Sequence, residues 1–325
     1  MANLLWLQSG GCGGCSQALL LQPRLLERLE TLGINLLWHP VLAPKEEDSF
    51  WPLIDQILEG SVALDMLCIE GSALLASGGL VHRLSGRNGH MAGLLRQLSG
   101  LAQEVLAIGS CTAFGGMSAL GANPAGAVGL QYDNGRLGGF LGGDFRTQSG
   151  RPVINIAGCA IHPGWLADSL SLLSQGNLVL DEWARPAFYT EGLVHHGCPR
   201  NEFYEYKASA PEPNDLGCLM ENFGCKATQA RGDCNIRLWP GGGSCLRGGF
   251  SCINCTAPGF QNPGHPFLET PKVAGLPSTL PTDMPKAWFV ALSALAKAAT
   301  PERVRVNATS PKILVPPNKR AESKK

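Results

Sequence analysis

The sequence predicts an α/β fold, a doubly wound parallel sheet, followed by an irregular, cysteine-rich second half. Short apolar runs alternate with helical stretches over residues 1–185, the pattern of a parallel sheet with helices on both faces. Three of those runs end in glycine-rich turns that carry cysteines. Beyond residue 185 the periodicity fades, and 195–259 holds seven cysteines among turn formers.

The elements follow in order. Leu4–Gln8 is an apolar run that breaks at Ser9-Gly-Gly-Cys-Gly-Gly-Cys15, and Ser16 opens a helical stretch through about Glu30, giving strand, glycine loop and helix. Further strands are expected at Ile34–Trp38, Val62–Ile69, Glu104–Ile108 and Pro152–Ile156, with helices over 51–59, 91–100 and 164–174. Seven prolines between Thr256 and Lys286 read as an extended wrap. One amphipathic helix, Ala287–Ala298, and a basic tail, Lys319–Lys325, close the chain. The expected regions are 1–185, 186–265 and 266–325.

Composition narrows the partners. Lys and Arg (26) balance Asp and Glu (26), leaving no basic field for nucleic acid or an anionic membrane. Charged residues are only 16% of the 325, against a usual ~25%, so the thinly charged surface favours a permanent partner subunit. The most apolar region, Val62–Val81, is cut by Asp65 and Glu70, so no membrane span is expected. The N-terminus has no basic n-region, twin arginine or cleavable apolar segment, and a cytoplasmic location is expected. Twelve cysteines in a reducing compartment then point to metal or redox chemistry rather than disulfides.

Cys12-Gly-Gly-Cys15 between strand and helix fits a thiol–disulfide pair, because a helix N-terminus favours the thiolate. Cys111, in Gly109-Ser-Cys-Thr-Ala-Phe-Gly-Gly116, and Cys159, in Ala157-Gly-Cys-Ala-Ile-His-Pro163, belong to the same carboxyl edge of the sheet, where ligands of open α/β sheets bind. Four thiolates on glycine-rich backbone suit a four-iron, four-sulfur cluster, whose sulfides backbone N–H groups can approach. Buried structural cysteines fit poorly at three separate glycine turns. In the second half, His195-x-x-Cys198, Cys218, Cys225, Cys234, Cys245 and Cys252-x-x-Cys255 make two sets of four ligands. Zinc is the rival there, but its ribbons usually offer two tight Cys-x-x-Cys knuckles, and these spacings are irregular. Setting Cys68 aside as a buried core thiol leaves eleven cysteines and His195, enough for three clusters. His196, His162, His82 and His90 read as supporting or exposed residues, and Trp6, Trp38, Trp165 and Trp239 as core or interface. Gly11-x-Gly-Gly is an incomplete dinucleotide fingerprint, and there is no Walker loop.

With the ligands in this order, the chain resembles the small, electron-transferring subunit of nickel–iron hydrogenases over nearly its whole length. The matching motifs are Leu5-Trp-Leu-Gln-Ser-Gly-Gly-Cys-Gly-Gly-Cys15, Gly109-Ser-Cys111 before Phe114-Gly-Gly116, Gly158-Cys159 with His162-Pro163, His195-His-Gly-Cys198, Gly224-Cys225-Lys226 and Cys252-Ile-Asn-Cys255 before Pro258. The resemblance implies a flavodoxin-like domain whose Cys12, Cys15, Cys111 and Cys159 bind a proximal four-iron cluster. It implies a distal cluster on His195, Cys198, Cys218 and Cys225, and a medial one on Cys234, Cys245, Cys252 and Cys255. Many members have a proline in the medial set and a three-iron cluster; Cys245 here implies a four-iron one of lower potential. A neutral imidazole at the distal cluster should raise its potential. The nickel–iron centre would belong to a large subunit in an obligate heterodimer, or in a dimer of such heterodimers. The segments Val194–Glu202 and Cys218–Cys225 look most like cytoplasmic hydrogen-sensing hydrogenases, which signal to a histidine kinase. A cytoplasmic uptake hydrogenase is the nearest alternative, and a zinc-stapled or thiol–disulfide protein the alternative of another class.

Overall fold

The computed structural model describes residues 1–42, 49–277, 280 and 285–317, and the expected basic tail lies outside them. Two compact units appear: Met1–Glu191 with Cys255–Asn262, and Gly192–Asn254 with Pro263–Lys325.

The first unit is built on five parallel strands, β1 (Ala2–Gln8), β2 (Ile34–Trp38), β3 (Met66–Glu70), β4 (Glu104–Ile108) and β5 (Ile154–Ile156). Their order is β2-β1-β3-β4-β5, which is the flavodoxin-like order, with its switch point between β1 and β3. Period-two alternation divides each strand between two covered faces. Leu5, Leu7, Leu67, Ile69, Val105 and Ala107 join a core with Ile54 and Ile57 of α3 (Phe50–Leu58) and with Leu94, Leu95 and Leu98 of α4 (Met91–Leu101). Trp6, Cys68 and Leu106, in register across β1, β3 and β4, lie buried on the opposite parity. Cys68 is the core thiol expected of it.

The expected helix over 16–30 is two: α1 (Gly14–Leu20) and α2 (Leu25–Thr31). Pro23 cannot continue the hydrogen-bond ladder, and Arg24 turns the chain through φ 53°. The expected strand Val62–Ile69 begins only at Met66, because the Asp65 carboxylate accepts the Asn3 backbone N–H at 2.7 Å and Leu64 and Asp65 give their carbonyls to Gln103 and Glu104. Between β4 and β5 a short helix, α5 (Ser110–Phe114), leads into a long loop. Buried Gln131 organises it: Nε2 donates to the Gly143 and Phe145 carbonyls, and Oε1 accepts from Val153 N. Helix α6 (Pro163–Ser174) follows β5, its first turn capped by His162 Nδ1, which accepts from Gly164 N.

The second unit has little regular structure before α7 (Asn201–Glu205) and after it until α8 (Lys286–Ala298). A further helix, α9 (Glu302–Ala308), corrects the expectation of one helix at this end. Glu302 begins it directly after Pro301, which is suited to a helix start. The segment through α9 closes on the turn before Cys218: Gly217 N donates to Ala308 O and Leu216 N to Ser310 O. A side chain at Gly217 would come within 2.7 Å of Ala308 O, so glycine is required by that approach. Among the described residues no helix is long and apolar enough to cross a membrane.

Candidate iron–sulfur ligand sites

In the first unit, the turns after β1, β4 and β5 meet at the carboxyl edge of the sheet. Gly109 has φ 89°, and a side chain there would lie 2.6 Å from Cys15 Sγ and 3.5 Å from Gly158 O. Gly109 N donates to Ile156 O and Ser110 N to Gly158 O, fastening the Cys111 turn to the Cys159 turn. A side chain at Gly14 would meet Cys12 Sγ at 3.2 Å and Ala160 Cβ at 3.7 Å, which places the Cys12 turn beside the Cys159 turn. Burial pushes the Cys15 thiol up; the Ile161 backbone N–H counters it, and Glu70, Cys111 and Cys159 add to the rise.

Glu70, the last residue of β3, was not singled out by sequence reasoning except as a break in an apolar run. It is buried, and its carboxylate accepts from Cys15 N at 2.9 Å, Ser16 N at 3.2 Å, Ser16 Oγ and Trp6 Nε1 at 3.4 Å. An acid at the N-terminus of α1 satisfies the donors that the first turn leaves free. Its signal in the sequence was a carboxylate ending an otherwise apolar strand at the switch point.

In the second unit, His195, Cys198, Cys218 and Cys225 all line one small cavity, together with Arg200, Tyr204, Leu219, Met220, Ala227, Thr228 and Leu246. Three of the thiols share one local device: the backbone N–H two residues ahead reaches the sulfur, from Arg200 to Cys198 (3.4 Å), from Met220 to Cys218 and from Ala227 to Cys225. N–H donors to sulfur favour the thiolate and are among the contacts that tune cluster potentials. Burial opposes them, pushing Cys218 up to about 12 and Cys198 and Cys225 above the ordinary thiol range. Burial also pushes His195 down, which favours its neutral, ligating form. Arg200 is a buried cation whose Nη1 donates to Asp215 O and Gly217 O, both at 2.6 Å, holding the approach to Cys218.

Cys234, Cys245 and Cys252 belong to the second unit and Cys255 to the first. Burial pushes Cys234 up to about 12, and Cys245 adds to that rise. Among the described residues no disulfide joins any of the cysteines. Among the described residues no three His, Cys, Asp or Glu side chains converge on one point that could hold a single ion. A tetrahedral zinc site needs its sulfurs about 2.3 Å from one centre. Spaced thiols on irregular backbone, with N–H groups aimed at sulfur, fit the donor set of a multi-iron cluster.

Two family models match the chain: that of the NADH ubiquinone oxidoreductase 20 Kd subunit over residues 12–173, and that of the C-terminal part of the NiFe/NiFeSe hydrogenase small subunit over 190–268. The F420 non-reducing hydrogenase II small subunit of Methanosarcina mazei is 29% identical, the match covering 93% of this chain and 84% of that protein. The periplasmic [NiFeSe] hydrogenase small subunit of Desulfomicrobium baculatum is 28% identical over 82% of this chain and 86% of its own. Among solved structures, the actinobacterial-type NiFe-hydrogenase from Ralstonia eutropha aligns with a TM-score of 0.74 and 26% identity, covering 93% of this chain and 92% of that one.

Proposed function

We propose that this chain, whose matches support the small subunit of a nickel–iron hydrogenase, carries three four-iron, four-sulfur clusters in a cytoplasmic hydrogen sensor. The small subunit transfers electrons and pairs with a large subunit that holds the catalytic site. The clusters supply one-electron carriers when bound. Cys12, Cys15, Cys111 and Cys159 would hold the proximal one, Cys234, Cys245, Cys252 and Cys255 the medial one, and His195, Cys198, Cys218 and Cys225 the distal one. The observation that carries this reading is the single cavity lined by all four distal residues.

The protein's own residues prepare these sites. Glu70 fixes the start of α1 so that Cys15 faces Gly109, and Arg200 pins the carbonyls on either side of residue 216. The thiols, held protonated by burial, release protons on ligation, so loading is favoured as pH rises. Arg200 and Lys207 stand near the thiolates of the distal set and offset their charge.

The sensing role rests on the likeness of Val194–Glu202 and Cys218–Cys225 to hydrogen-sensing members, whose partner is a histidine kinase. The test is iron, sulfide, nickel and zinc analysis of the anaerobically co-purified heterodimer, with EPR on the same sample. About twelve irons per small subunit are expected, with nickel only in the complex. A three-iron signal after oxidation overturns the medial assignment, and zinc without sulfide overturns all three. Hydrogen-dependent change in the autophosphorylation of a co-expressed histidine kinase separates the sensor from an uptake enzyme, which would reduce an acceptor and leave the kinase unchanged.

A further inference from the structure

Residues next to ligands in the chain make the hydrogen bonds between one ligand set and the next. Ser110, one residue before Cys111, is 1% exposed; its Oγ donates to the Cys255 carbonyl and accepts from Gly158 N at 2.9 Å, one residue before Cys159. One buried hydroxyl thus touches the backbone of two proximal residues' turns and of a medial residue. In the second unit, Asn235, one residue after Cys234 and 4% exposed, donates from Nδ2 to Val194 O at 2.8 Å, one residue before His195. Lys226 N, one residue after Cys225, donates to Cys252 O at 2.8 Å. The medial-to-distal step therefore has these two bridges beside the Cys252 backbone N–H, which reaches Cys225 Sγ directly. Between the proximal and medial sets, Ser110 supplies a side-chain bridge.

We propose that these hydrogen bonds are electronic bridges of the relay, with the Ser110 hydroxyl a side-chain bridge from the proximal to the medial cluster. The inference rests on the cluster assignments proposed above. Electronic coupling decays more slowly along covalent and hydrogen bonds than across van der Waals gaps. A route from Cys111 through the Ser110 backbone and Oγ to the Cys255 carbonyl and side chain has no gap in it. Each transfer oxidises one cluster by one electron and reduces the next by one, while the bridging proton stays on Ser110 Oγ or Asn235 Nδ2. Ser110 and Asn235 are positioning residues: they set coupling, not driving force.

The experiment mixes the purified heterodimer with hydrogen, freezes it at increasing times and reads by EPR the delay between reduction of successive clusters. Iron content and poised midpoint potentials are measured on the same preparations. In Ser110→Ala the proximal-to-medial delay should lengthen several-fold while the medial-to-distal delay and both potentials stay as in the parent, and Ser110→Thr should restore it. Asn235→Ala should change its own step less, because the Lys226 and Cys252 backbone N–H groups still bridge there. Coupled reduction is read only in molecules holding both clusters, so a variant that loads incompletely still reports its delay. An unchanged delay in Ser110→Ala overturns the proposal, as does a longer delay accompanied by a shifted medial potential. A parent heterodimer lacking iron and sulfide would instead remove the assignments beneath it, a failure distinguishable because no substitution is involved.

Discussion

At the scale of single residues, the first unit is held by polar side chains sealed inside it. Arg185 is fully buried, pairs with Asp181 at 2.7 Å, donates to Thr256 O at 2.8 Å and packs over the Trp183 ring at 4.6 Å. Removing one partner of a buried pair strands the other charge, so Arg185→Leu should cost about 3–5 kcal/mol in denaturant unfolding. Adding Asp181→Leu should recover most of that loss; a double variant as weak as the single one would refute the pairing account. His39 is buried against Trp6 (4.8 Å between rings), and its Nδ1 accepts from Val41 N and Leu42 N. Burial lowers it to about 4 from an ordinary 6.5. The folded state thus refuses a proton that the unfolded chain accepts. Its stabilising effect is complete above pH 6.5 and is lost as pH falls toward 4, at up to about 1.4 kcal/mol per pH unit. Unfolding measured against pH should show a shallower acid slope in His39→Gln than in the parent.

At the scale of elements, the ligand turns depend on glycine where a sulfur or a neighbouring backbone occupies the space of a side chain. Gly109→Ala would set a methyl 2.6 Å from Cys15 Sγ at a φ that L-residues avoid. Iron and sulfide analysis should then show about four irons fewer per chain, with the EPR of the second unit's clusters retained. A full complement of iron would show that the turns can separate. Helix boundaries followed the same local chemistry: Pro23 divided α1 from α2, and Pro301 preceded α9.

At the scale of the whole molecule, the two units are stabilised differently. The sheet of the first unit has an extensive apolar core, whereas the buried cluster around the ligands of the second, among the described residues, is Val194, Ala210, Leu219, Cys225, Ala227, Ala230, Leu246 and Cys252, mostly small and with two proposed ligands among them. Where apolar burial is thin, metal binding free energy becomes folding free energy. Hydrogen exchange on protein depleted of iron and sulfide should therefore show amides of 192–254 unprotected while β1, β3 and β4 stay protected. Protection of both would mean that the second unit folds on side-chain packing alone.

The sequence by itself determined the alternation of strands and helices, the glycine turns that end β1, β4 and β5, and the residue types able to bind iron and sulfide, because periodicity, turn chemistry and ligand softness are local properties. Tertiary structure decided what depends on residues distant in the chain. It supplied the order β2-β1-β3-β4-β5, and it placed Glu70 under Cys15 across 55 positions and Ser110 against Cys255 across 145. Glu70, Ser110, Arg185 and Asn235 went unread because an isolated polar residue carries no periodicity. Its role appears only when burial strips away water and leaves the backbone of a distant turn as its hydrogen-bonding partner.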